Sequence, residues 1–265
     1  MTGVTDVVDP RIYRLAYQAG LSAQPVPLPF MHQNQTYHLD FNAPAVKCAP
    51  STNDTLISNL TFAHGHSYAN RANPTPFIAW TGPADGWSSV SPSRSQPNTV
   101  DGSSEDVARL YVMSNNGRWK KTRTQSDTST LEYTQVNVTE CLLHNATYGV
   151  DFSFQFPLQS HTVNISTWLN PVAKLPWFGR AQMYLDPDLE RATISYTAVM
   201  SAFGKLLVGK ASGSDSAGII TEVTAWLTSW SMLDVDWEEG SAVPGRLESL
   251  FQNITMSLFS DTGLT

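Results

Sequence analysis

Strands come first in this chain and helices last. That order predicts an α+β fold. The expected architecture is an antiparallel β-sheet or sandwich over about 36–169, packed with C-terminal helices over about 187–208, 219–231 and 244–259. Two patterns carry the expectation. Val150, Phe152, Phe154 and Phe156 alternate with Asp151, Ser153 and Gln155, the period of a strand with one buried face. Beyond Asp186-Pro187 the period changes. Leu189, Ala192, Tyr196, Val199, Met200, Phe203, Leu206 and Leu207 recur at three and four, the stripe of an amphipathic helix.

The elements follow in order. Asp9 and Pro10 suit a helix start, and Gly20 suits its end. Gln24 to Pro29 reads as polyproline-like chain. Residues 1–33 therefore read as an arm leading into a single domain over 34–265. Tyr37, Leu39 and Phe41 alternate with His38 and Asp40 as a first strand, which Asn42-Ala43-Pro44 should break. Ser51 or Asn53 can cap a short helix carrying Leu56, Ile57 and Leu60. Pro76 to Thr81 is a short strand. The stretch over about 87–106 holds eight Ser or Thr and two Pro with few aliphatic residues, so a flexible surface loop is expected.

Leu110 to Met113 reads as a strand, and Asn116-Gly117 as a hairpin turn returning through Arg118 to Arg123. Leu131 to Asn170 reads as three strands, with Asn145-Ala146-Thr147 turning the first into the second. Near the C-terminus, Ile219, Val223, Trp226, Leu227 and Trp230 suggest a helix, although the Thr content there also suits a strand. Pro244 opens the last helix, striped by Leu247, Leu250, Phe251, Ile254, Leu258 and Phe259.

Composition narrows the function classes. The chain has 265 residues, a formal charge of −7 and a pI near 5.3. An acidic balance argues against a general nucleic-acid binder. Mean hydropathy is −0.21 and no run of 18 apolar residues occurs, so no membrane span is expected. The first 20 residues hold no apolar core of a signal peptide.

Asn34, Asn53, Asn59, Asn137, Asn145, Asn164 and Asn253 each begin an Asn-x-Ser/Thr sequon. Chance placement of 14 Asn and 54 Ser or Thr in 265 residues would give about three. Seven argue for the secretory pathway, where a bulky glycan must face solvent. The competing, less favoured reading is a Thr-rich β protein of the cytosol. Cys48 and Cys141 suit a single disulfide in an oxidising compartment, against two free buried thiols. Closing a loop of that size contributes about 4–5 kcal/mol in the chain-entropy model. Sequons without a signal sequence imply a piece excised from a longer product.

Several segments resemble a family of fungal multi-spanning membrane proteins with a large extracellular domain and no assigned function. They are Tyr37 to Cys48, Cys141 to Tyr148, Trp168 to Val172 and Leu247 to Asp261. The resemblance extends over roughly residues 34–262. It implies membrane spans outside this chain and supplies no catalytic residue. Members often carry the label formylmethionine deformylase-like. That chemistry needs a His-Glu-x-x-His helix, and none of the six histidines here precedes Glu. The label is rejected.

Candidate chemistry is sparse. His64-Gly65-His66 is the best metal-like pair, since two residues on one strand share a face, but a solvated loop is the plainer reading. Asp234, Asp236 and Glu238 flank Trp237 and could serve a glycosidase, which needs an acid and a second carboxylate. An acidic cluster before a helix more often complements its dipole. Asp215-Ser216-Ala217-Gly218 has the residue types of a nucleophile turn, but Ser214 stands where glycine belongs and no partner can be assigned; an inter-helix linker fits better. Arg118, Lys120, Lys121 and Arg123 could bind an anionic surface, and a charged edge strand is the plainer reading.

The expectation is thus a non-catalytic, glycosylated extracellular domain of a fungal cell-surface protein, serving ligand binding, adhesion or sensing. Its partner would be a surface glycan or protein, reached with no cofactor, and the membrane would be engaged through segments outside this chain. The alternative is a secreted carbohydrate-active hydrolase using the acidic residues near Trp237.

Overall fold

The computed structural model describes residues 9–28, 34–64, 66–67, 77–81, 108–115, 119–123, 129–133, 136–155, 158–172, 187–214, 218–222 and 243–260. The elements are α1 (Pro10–Ser22), β1 (Gln35–Pro50), α2 (Asp54–His64), β2 (His66–Ser67), β3 (Phe77–Thr81), β4 (Arg109–Asn115), β5 (Trp119–Arg123), β6 (Ser129–Tyr133), β7 (Val136–Gln155) and β8 (Leu158–Pro171). Then come α3 (Pro187–Leu207), β9 (Gly209–Ser214), β10 (Gly218–Glu222), α4 (Val243–Ser257) and a 3-10 turn, Leu258–Ser260. The class is α+β, with an antiparallel sheet and C-terminal helices packed on it.

The main sheet has seven strands. Six run in the order β1-β7-β4-β3-β9-β10, and β8 also pairs with β7. β7 is the axis. β1 lies along one side of it from Gln35↔Phe154 to Pro50↔Thr139. On the other side β4 takes Val136–Leu142 and β8 takes His144–Gln155. These two neighbours meet at Leu143, whose N–H donates to the Ala108 carbonyl and whose carbonyl accepts from Val172 N–H. A second sheet has the order β2-β6-β5.

The core divides across the main sheet. Cys141, Leu143, Val46, Phe77, Ala79, Leu110 and Val112 face α1, α3 and α4, where Phe203 meets Phe251 edge-on at 5.1 Å. Trp80, Ile78, Tyr111, Met113, Val136 and Val138 pack on the opposite face against Leu56 and Leu60 of α2. A third cluster runs along the far half of β7, from Ala146 through Tyr148, Val150 and Phe152 to Phe154, closed by Met256 of α4.

Helix α4 also covers the outer edge of β1. Glu248 Oε1 accepts from Cys48 N–H at 2.8 Å, and Thr255 Oγ1 and Tyr148 Oη both donate to the Pro44 carbonyl, at 3.2 and 2.8 Å. A covered edge is closed to pairing with another chain.

Several expectations change. Pro44 does not break β1. Its carbonyl points outward to α4, so its missing N–H falls on the side away from β7, where no ladder bond is lost. Asn145-Ala146-Thr147 is not a turn, because β7 runs through it with register irregularities against β8. Asn116-Gly117 lies outside the described residues, but the strands on either side of it, β4 and β5, are not paired with each other. Both edges of β4 are taken, by β3 and β7, and β5 pairs with β6 instead.

The helix expected over 219–231 is, over its described part, strand β10 in register with β9. Ile219, Ile220 and Thr221 are β-branched and suit a pleated surface better than a helix. Of the Asp215–Gly218 stretch only Gly218, the first residue of β10, is described; Asp215, Ser216 and Ala217 lie outside the described residues. Helix α1 runs past Gly20 to Ser22, with Ala23 left-handed at φ 52°. Nor is that helix a free arm, since Leu15, Ala16 and Ala19 are buried in the core. The loop expected over about 87–106 lies outside the described residues.

Candidate functional site

The far half of β7, with β1 and β8 on either side, presents two different surfaces. Asp151 and Phe152 are neighbours in sequence and so point to opposite faces. Each has a histidine beside it on a flanking strand.

On the polar face, His38 of β1 stands opposite Asp151. Its Nδ1 lies 2.7 Å from Asp151 Oδ1 and its Nε2 lies 3.2 Å from Asp40 Oδ1. These bonds, Asp151 first and Asp40 second, raise the imidazole above its ordinary value of 6.5. Gly149 lies under the cluster. A Cβ there would sit 3.3 Å from Asp40 Oδ1 and 3.5 Å from His38 Cε1, so the clasp closes over a residue with no side chain. Asn164 of β8 pairs with Gly149 and is exposed on the far side. Both ring nitrogens of His38 are engaged by carboxylates. The ring is therefore a poor base and a poor metal ligand. The side chains are more than half exposed, where ion pairs stabilise little.

On the apolar face, Phe152 and Phe154 lie parallel, with centroids 6.1 Å apart. Tyr37 of β1 stacks on both, at 4.9 and 5.8 Å. The segment 24–28 crosses in front of them as a strap. Leu28 N–H donates to Gln159 Oε1 at 3.1 Å, Gln159 Nε2 donates back to the Leu28 carbonyl at 3.0 Å, and Val26 N–H donates to Ser257 Oγ at 2.9 Å. Between strap and sheet lies a cleft of about 240 Å³ lined by Pro25, Pro27, Phe152, Phe154, His161 and Met256, among others. His161 pairs with Phe152 across the strands. Partial burial lowers its pKa below the ordinary 6.5, so the ring is neutral at pH 7.

Arg109 Nη1 meets Glu140 Oε1 at 2.6 Å, and Tyr111 Oη donates to the same oxygen at 3.2 Å. All three side chains stand on strands at the centre of the sheet, a structural ion pair away from either surface just described.

Cys48 and Cys141 are bonded, with Cα atoms 4.0 Å apart and directly opposite in the β1–β7 register. Cys48 N–H points outward to Glu248, so this is a non-hydrogen-bonded pair, where side chains approach most closely. The seven sequon asparagines all fall in described residues and none is buried: Asn34, Asn53, Asn59 and Asn164 are exposed, and Asn137, Asn145 and Asn253 half-buried. Some amides have local roles. Asn53 Oδ1 caps α2 by accepting from Leu56 N–H, Asn145 Oδ1 accepts from Tyr196, and Asn253 Nδ2 donates to the Ala23 carbonyl.

The other sequence candidates do not assemble. His64 ends α2 and His66 begins β2, so the two residues do not share a strand. Among the described residues no group of three or more His, Cys, Asp or Glu is placed to hold a metal ion. Asp234, Asp236, Glu238 and Trp237 lie outside the described residues. Lys120, Lys121 and Arg123 lie on β5, at the edge of the small sheet.

Sequence reasoning passed over the cleft because Gln24 to Pro29 reads as an arm and the Phe alternation reads as core. It passed over the clasp as well, although His38 and Asp40 stand two apart on the polar phase of β1, the spacing that puts two side chains on one face. Among the described residues no helix is long and apolar enough to cross a membrane. Comparison with known protein families, with curated proteins and with solved structures found no match to this chain.

Proposed function

We propose that this chain is a non-catalytic, N-glycosylated extracellular domain of a fungal cell-surface membrane protein, serving ligand binding, adhesion or sensing. The observation that carries the reading is the placement of the sequons. None of the seven sequon asparagines is buried and four of them, Asn34, Asn53, Asn59 and Asn164, are exposed, the placement that a bulky glycan facing solvent requires. The disulfide supports the same reading, because such bonds persist in oxidising compartments. The resemblance to the fungal family adds the membrane context. Ligand binding is supported by the aromatic cleft, a concave site with few polar groups.

Intact mass of protein secreted from a eukaryotic host tests this, measured before and after enzymatic glycan removal and with thiol alkylation. Several glycans and no alkylated thiol are expected. An unmodified chain with two alkylated thiols would overturn the reading.

A further inference from the structure

We propose that the cleft between the 24–28 strap and the β7–β8 hairpin binds a small neutral ring carrying one hydroxyl group, with His161 accepting that hydroxyl's hydrogen bond. The inference rests on the ligand-binding reading above and names its ligand class.

Charge excludes most alternatives. No Asp, Glu, Lys or Arg is among the described residues that line the cleft. A charged ligand would lose its hydration there and gain no ionic partner. Shape favours a ring. Phe152 and Phe154, their ring planes parallel, line the cleft from the sheet, and Pro25 and Pro27 line it from the strap. A volume of about 240 Å³ falls below the usual range for drug-sized ligands and suits a single ring. Polar chemistry then selects the hydroxyl. Of the other polar residues in the lining, Ser160 pairs with Ser153 and so stands on the opposite face of the hairpin from His161, Gln24 is exposed, and the Gln159 amide is spent at both ends on Leu28. His161 makes no hydrogen bond among the described residues, and its half-buried imidazole offers an acceptor nitrogen beside Phe152. A sugar carries too many hydroxyls for so few partners, since each buried one left unpaired costs affinity.

Titration of the secreted protein with phenol, toluene and benzoate, followed by amide NMR, decides the matter. Phenol should give saturable shifts confined to Val26, Leu28, Phe154 and His161. It should bind about 3- to 10-fold more tightly than toluene, the worth of one hydrogen bond. Benzoate should bind more weakly than either. His161→Leu should erase the preference for phenol over toluene, and His161→Gln, which keeps an acceptor, should restore part of it. Shifts scattered over the surface, no saturation by phenol, or benzoate matching phenol would each overturn the proposal, and these wild-type results stand even if a variant misfolds. Glycosylated protein indifferent to phenol refutes the ligand class alone, whereas saturable phenol binding by protein lacking glycans refutes only the extracellular reading.

Discussion

The two halves of β7 obey different rules. From Val136 to Leu143 the strand has β4 along one edge as far as Leu142 and β1 along the other from Thr139, with both faces covered: Val136 and Val138 meet α2, while Cys141 and Leu143 meet the helices α1, α3 and α4. From Asn145 onward β8 replaces β4, and one face turns to solvent, with Asp151 exposed beside buried Phe152. The first half is an anchor. The second is a ribbon free to present chemistry on both its surfaces. A single strand therefore supplies stability at one end and candidate sites at the other.

The disulfide should mark the anchor most strongly. It ties β1 to β7 within the first half, across 93 residues of chain. Reduction, or Cys48→Ser with Cys141→Ser, should lower unfolding stability by about 4–5 kcal/mol in the chain-entropy model, read from the midpoint of chemical denaturation. A loss confined to the ribbon, seen as amide exchange rising only after residue 145, would break the comparison by making the ribbon the part that needs the bond.

The same division decides what could be read from the sequence. Strict alternation over Val150–Phe156 is the mark of one solvated face, and the ribbon has one. The anchor has none, so its alternation is blurred: Val138, Thr139 and Cys141 are all buried, and Asn145-Ala146-Thr147 looked like a turn. Helices α3 and α4 were legible because their stripes repeat over several turns. Pairing was less so. Nothing local to Asn116-Gly117 shows that both edges of β4 are occupied by residues distant in sequence, or that α4 covers Pro44. The clasp and the cleft depend on cross-strand register and on where the strap lies, neither of which is a property of spacing along the chain.

A smaller effect sharpens the boundary between the halves. Tyr148 lies in the ribbon, but its hydroxyl reaches over the β1 edge to the Pro44 carbonyl. Burial holds that phenol far above its ordinary pKa, so it is a donor at any physiological pH. Tyr148→Phe should cost only about 0.5–1.5 kcal/mol, because Thr255 still donates to the same carbonyl and leaves it satisfied. Thermal denaturation of this variant, alone and with Thr255→Val, should show the double change costing more than the sum of the two. Simple additivity would mean that the two donors do not share the acceptor.

The subtlest test lies within the ribbon, where His38 and His161 occupy opposite faces. Hydrogen bonds to Asp151 and Asp40 raise the first, and burial lowers the second, each from 6.5. Their linkage to folding has opposite signs. His38 binds its proton more tightly when folded, so its contribution is fully present below pH 6.5 and is lost as pH rises through its higher folded value. His161 binds its proton less tightly when folded. Its contribution is present above pH 6.5 and is lost as pH falls toward its lower folded value. Imidazole Hε1 resonances followed by NMR should therefore titrate on either side of 6.5, His38 above and His161 below. His38→Gln should lower the melting temperature more at pH 6 than at pH 9, and His161→Leu should remove a destabilisation that the wild type shows toward pH 5. If both rings titrate together, the two faces share one environment, and the ribbon does not separate a charged surface from an apolar one.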